Sequence, residues 1–186
     1  MKNKQNLTSV FSLFSTGVTI ITNGTSKKEY FGCTVNSFTS LSLDPPQFLF
    51  CLGNENENLK SFKIKSPVNV NILSKSQENL SNKFAGDLLN RWDGVSFSIA
   101  KNKVPFFRNS LGLIESYVEK KVKSGDHTII ICRITNFENF KSKTVIFKLV
   151  KLRHNKISKR NGALLLKPKK KTVIRCEKKS ITEIHF

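Results

Sequence analysis

Six small hydroxyl or amide residues, Thr34, Asn36, Ser37, Thr39, Ser40 and Ser42, fall within nine positions of one another in the first quarter of the chain. They continue an apolar run that opens at Tyr30, and they end at Asp44-Pro45-Pro46, where two prolines fix φ and remove two N–H donors. A second apolar run, residues 47–52, starts at once. Side chains of this kind can bond the edge of a polar ligand, and a loop of them held between two strands is a seat for one. The same composition also makes an ordinary Ser/Thr-rich turn, so spacing alone leaves both readings open.

Few other residues have the types that chemistry needs. His127 follows the turn pair Gly125-Asp126 at the mouth of a β-branched run. A lone histidine beside such a turn is more often structural, because Asp and His bond locally there. Arg91 and Trp92 sit in a polar loop and could line a rim or simply pack. No Ser-His-Asp set and no paired carboxylates stand out. The four cysteines, Cys33, Cys51, Cys132 and Cys176, are far apart with no C-x-x-C pair, so free thiols are expected rather than a metal site or disulfides.

The run Thr34-Val35-Asn36-Ser37-Phe38-Thr39-Ser40-Leu41-Ser42-Leu43-Asp44-Pro45-Pro46 resembles the signature of the flavin reductase domain family. Three further pieces match in order: Phe14-Ser15-Thr16-Gly17-Val18-Thr19, Lys83-Phe84-Ala85-Gly86 and Gly125-Asp126-His127-Thr128. The resemblance spans about residues 8–147. It implies a split, Greek-key β-barrel of the FMN-binding type and a homodimer with the flavin near the subunit interface. The implied activity is hydride transfer from NADH or NADPH to FMN or FAD, supplying reduced flavin to a partner monooxygenase. A non-catalytic flavin- or haem-binding split-barrel protein is the alternative.

Hydride transfer between two cofactors asks the protein to stack their rings and to bond the flavin edge where negative charge develops. Under the resemblance, Thr34, Asn36, Ser37 and Ser40 would bond that edge and the ribityl hydroxyls. Cys51 would flank the same cavity, with a small core residue as the equal alternative. The family usually has a Ser/Thr-rich phosphate segment after this strand. Here it reads Asn54-Glu55-Asn56-Glu57-Asn58, which leaves Asn54 and Asn58 as phosphate candidates opposed by two nearby carboxylates. Lys83, Phe84 and Ala85 would contribute a cation and main-chain groups, and His127 would contact the nicotinamide or the flavin ring face.

These residues need elements to hold them. Leu7, Val10, Phe11 and Phe14 have helical spacing. Strands are expected at residues 18–22 and 29–35, joined at Asn23-Gly24, then at 47–52, 68–73, 95–99, 111–122, 127–134 and 144–147. Helices are expected at residues 54–64, capped by Asn54, and 74–85, started by Ser74 with Gln77 and stopped by Gly86. Many short strands without a βαβ rhythm predict a mainly β, closed antiparallel barrel with a few short helices.

The chain has 186 residues, enough for one domain with a real core. Its formal charge of +19 invites a nucleic-acid reading, but residues 141–186 hold 15 Lys and Arg against 2 Asp and Glu, whereas residues 1–140 hold 17 against 11. The excess is a property of the tail, which lacks aromatics interleaved with its bases, so nucleic acid is not the expected partner. No apolar run reaches membrane-span length and no secretory h-region opens the chain, so a cytoplasmic protein is expected. Residues 1–147 are read as the reductase-like domain and 148–186 as a divergent basic tail.

Overall fold

A computed structural model describes residues 4–86 and 90–140, with the side chains of residues 4–6 left aside. Contacts divide the chain into Met1–Lys151 and Leu152–Phe186. The second unit, and the strand expected at residues 144–147, lie outside the described residues.

The elements in order are α1 (Lys4–Phe11), β1 (Thr19–Asn23), β2 (Phe31–Val35), β3 (Thr39–Leu43), β4 (Pro46–Gly53), a 3-10 turn (Glu57–Ser61), β5 (Pro67–Ile72), a 3-10 turn (Lys75–Gln77), α2 (Glu78–Ala85), β6 (Ser98–Ile99), β7 (Pro105–Phe106), β8 (Gly112–Ser124) and β9 (His127–Asn139). Seven strands form one antiparallel sheet in the order β2-β1-β5-β8-β9-β4-β3, and β6 pairs with β7. The sheet is therefore open, with β2 and β3 at its edges, where the strand count predicted a closed barrel.

The edges are nonetheless close, because the sheet curls around one core. Phe31 of β2 packs edge-on against Phe62 at 5.5 Å, and Phe62 packs against Phe50 of β4 at 5.5 Å. β2 ends the sheet order on one side, and β4 is next to last on the other. Phe62 is fully buried and plugs the split between them. Each such ring pair is worth about 0.5–1.5 kcal/mol beyond its burial. This curled, split sheet is the mainly β split barrel that the sequence implied.

Several local expectations shift. Residues 39–43 form the edge strand β3, not a loop, because their backbone pairs with β4 across the two-residue turn Asp44-Pro45. The helix expected at 54–64 is only the 3-10 turn at Glu57–Ser61, capped by Asn56 instead of Asn54. The helix expected at 74–85 begins as a 3-10 turn and becomes α-helical at Glu78, and Gly86 stops it in extended conformation (φ −82°). Asn23 ends β1, and the connection to β2 is a seven-residue loop rather than a tight Asn-Gly hairpin. The strand at 95–99 shrinks to Ser98–Ile99, while β8 and β9 lengthen into a thirteen-residue hairpin pair.

Asn69 and Asn71 alternate with Val68 and Val70 along β5, yet both asparagines are fully buried. The segment carrying β7 covers them. Asn71 Oδ1 accepts from Phe107 N at 2.9 Å, Asn69 Nδ2 donates to Val104 O at 3.2 Å, and Asn102 Nδ2 donates to Asn69 Oδ1 at 2.7 Å. Buried amides stay only where partners meet them, and here the partners are this loop and, for Asn71 Nδ2, Ile20 O of β1 at 3.0 Å.

Candidate functional site

At the bend between β2 and β3, Thr34, Asn36 and Ser37 have separate environments. Thr34 Oγ1 donates to Ser81 O at 2.7 Å, tying β2 to α2. Ser37 Oγ accepts from Cys51 N at 2.9 Å and donates to Cys51 O at 3.2 Å, pinning the bend to β4 across the split. Asn36, between them, is exposed.

Thr34 and Asn36 line a cleft of about 410 Å3. Its polar wall adds Ser81, Asn82 and Ala85 from α2. Phe11 and Phe14 line it as well, together with Thr8 and Thr16. The volume suits a small organic ligand, and so does a lining that mixes polar and aromatic side chains. Two other concavities exist, about 500 Å3 beside Asn23 and Lys60 and about 670 Å3 lined by Leu43, Ile72 and Phe137. Neither touches any sequence-predicted site residue, so neither is the candidate.

The remaining candidates lie along the rim or behind it. Cys51 is half-buried beside Ser37, and its burial raises the thiol above its ordinary pKa. Gly53, two residues on, pairs in register with His127. Residues two apart on a strand share a face at about 6.5–7 Å. Cys51, Gly53 and His127 thus share one face of the sheet, and the Cys51 backbone is bonded to Ser37 of the bend. His127 is exposed, and its Nδ1 lies 2.8 Å from Asp126 Oδ1. Asn54 turns to the β8–β9 turn, and Asn58 bonds Asn56 Oδ1 through both its main-chain N and its Nδ2, each at 3.0 Å.

Lys83 donates to Asp93 O and so fastens the loop at 90–94 to α2. Phe84 is fully buried against Trp92 and Phe107, which leaves only its main chain for a ligand. Ser40 is exposed on β3, away from the cleft lining. Cys33 and Cys132 are buried thiols, both pushed up to about 12 by desolvation. Among the described residues no cluster of ligating side chains could hold a metal.

Sequence reasoning missed the parts that α1 and α2 supply to the cleft. Ser81 and Asn82 were not among the candidate residues. The signal for the aromatic lining was present, because Phe14, Thr16 and Val18 belong to the upstream matching motif. Arg91 is a clamp, donating through Nη1 to Gly32 O at 2.7 Å and through Nη2 to Gly86 O.

Comparison with known proteins places this arrangement. A Rhizobium meliloti protein named as a probable flavin reductase is 37% identical over 133 residues, which are 72% of this chain and 43% of that one. The reductase subunit of stachydrine N-demethylase from the same organism is 34% identical over 72% of this chain and 58% of its own length. The chain thus spans about half the length of these relatives. The solved NADH:FAD oxidoreductase of Streptomyces globisporus, in complex with NAD and FAD fragments, superposes with a TM-score of 0.69 at 30% identity, covering 74% of this chain and 83% of that one. A model of the flavin reductase like domain matches residues 11–153. That match takes in all the cleft and rim residues named above except Thr8 of α1, and the chain belongs to the flavin reductase like domain family.

Proposed function

We propose that this protein is an NAD(P)H-dependent flavin reductase that passes hydride to FMN or FAD and hands the reduced flavin to a monooxygenase component. The observation that carries this reading is the cleft itself, where Thr34 and Asn36 meet Ala85 and the exposed rings of Phe11 and Phe14, with His127 on the sheet face of Cys51 and Gly53. The residues present fit a flavin: a flat ring with one polar edge matches a cleft with one polar wall. Bound there, the flavin supplies the hydride acceptor.

The chain's own residues bind and orient. Asn36 and Thr34 bond the ring edge, Ser37 keeps their bend fixed against β4, and His127 steadies the nicotinamide ring. Hydride transfer between the two rings needs no acid or base from the protein. The reductase names of the relatives favour this reading, and nothing favours a non-catalytic carrier.

A homodimer, a cytoplasmic location and a domain ending near residue 147 complete the proposal. Among the described residues no helix is long and apolar enough to cross a membrane. Five large apolar side chains of the N-terminal segment, Leu7, Val10, Phe11, Leu13 and Phe14, are 52–80% exposed, an apolar surface suited to a second copy. The test is NAD(P)H consumption by purified protein with and without added FMN or FAD. Turnover that requires flavin supports the reading, and turnover independent of flavin, or none, rejects it.

A further inference from the structure

We infer that Asn54 is a positioning residue for His127, not a phosphate ligand. Three hydrogen bonds run from this one residue to the β8–β9 turn. Its main-chain N donates to Asp126 O at 2.9 Å. Its Nδ2 donates to Gly125 O at 3.1 Å. Its Oδ1 accepts from Thr128 Oγ1 at 2.8 Å. They bracket His127 on both sides in sequence. The turn needs holding: it has two residues, Gly125 sits at φ +57°, and both Asp126 and His127 are exposed. The backbone ladder holds His127 to Gly53 and Ser124, but the two turn residues lie beyond it, and a tip without packing keeps one conformation through bonds such as these.

The amide is suited to this task. It bonds a carbonyl with one end and a hydroxyl with the other, which an aspartate in the same place cannot do. With Nδ1 of His127 against Asp126 Oδ1, the ring itself is held as well as its backbone. Asn54 thus links the segment after β4 to the turn that carries His127, and the placement of His127 depends on it.

This inference rests on the reductase reading, in which His127 meets the nicotinamide. The test is a double-mutant cycle of Asn54→Ala and His127→Ala, with KM for NAD(P)H, kcat and flavin Kd measured for each variant. Asn54→Ala is expected to raise KM about tenfold, the effect of one or two lost bonds, with kcat and flavin Kd little changed. The double variant is expected to be no worse than His127→Ala alone, because both substitutions remove the same contact. Additive effects on KM overturn the inference. So does a rise in flavin Kd in its place, which would return Asn54 to the phosphate.

Thr128→Val, which removes one bond only, should move KM in the same direction by less; an unchanged KM in both Asn54→Ala and Thr128→Val also overturns it. Should the wild type consume no NAD(P)H with flavin, the reductase reading fails, and Asn54 is judged on amide exchange at residues 125–128. Exchange there must accelerate in Asn54→Ala, and unchanged exchange rejects the positioning role.

Discussion

Asn36 and Ser37 are neighbours in the bend, yet the structure separates their work. Ser37 has both its donor and its acceptor committed to the Cys51 backbone, whereas Asn36 is exposed at the cleft. Ser37→Ala should therefore act on stability, losing about 1 kcal/mol or more and lowering Tm by about 2–4 °C in thermal unfolding. Asn36→Leu should leave Tm nearly unchanged and weaken flavin binding about three- to tenfold in fluorescence titration, the equivalent of one lost bond. The reverse pattern would exchange their roles. The sequence offered both as flavin ligands, because composition shows which groups are polar and not which are already bonded.

Glu119 is legible only in three dimensions. Arg133 bonds it at 2.6 and 3.0 Å and Gln47 at 2.7 Å, and the Arg133 hydrogen bond first of all lowers its pKa from near 4.5 to about 2. A depressed folded pKa gives stability that is present above the unfolded value and is lost as pH falls through the folded one. The Tm advantage of wild type over Glu119→Gln should accordingly shrink as pH drops from about 4.5 to about 2. A constant difference across that window would mean that the charge of Glu119 does not contribute.

At the scale of elements, α2 shows how the cleft keeps its width. Gly32 of β2 lies under Phe84 of α2, and a Cβ added there would sit 2.4 Å from the Phe84 ring. Phe84 is fully buried and has nowhere to move. Gly32→Ala should destabilise by about 1–3 kcal/mol and push α2 away from Thr34, so flavin affinity should fall with it. Thermal unfolding and titration on one variant check both, and an unchanged Tm would show that the contact is loose.

Strands with strong β-branched patterns, such as β1, β5 and β9, were legible to within a few residues. The segment at 54–64 was not, because a helical capping pattern competed with Asn54 bonding the β8–β9 turn, and tertiary bonds won. Strand β3 was hidden because its polar, exposed side chains resemble a loop, while its ladder is made by backbone alone.

At the scale of the molecule, family motifs revealed a split barrel before any coordinates, and the strand count alone did not. Counting strands cannot show that Phe62 fills the gap in place of a closing ladder. Nor could it show that Asn69 and Asn71 face a covering loop, since alternation with valine reads as a solvated face. Of the candidate site, the bend, the matching upstream motif and the His127 turn were legible as sequence. The contributions of α2 and the aromatic lining came from folding that places distant segments together.

Under the proposed function, hydride passes from a nicotinamide to a flavin held at the Asn36 cleft. Anaerobic mixing of the protein with FMN or FAD and NADH or NADPH tests it most directly, by following the oxidised flavin absorbance. Wild type is expected to bleach this band far faster than the enzyme-free mixture, and Asn36→Leu to slow the bleaching at limiting flavin but to recover as flavin is raised. Bleaching no faster than the enzyme-free rate with every pairing of flavin and nicotinamide would contradict it.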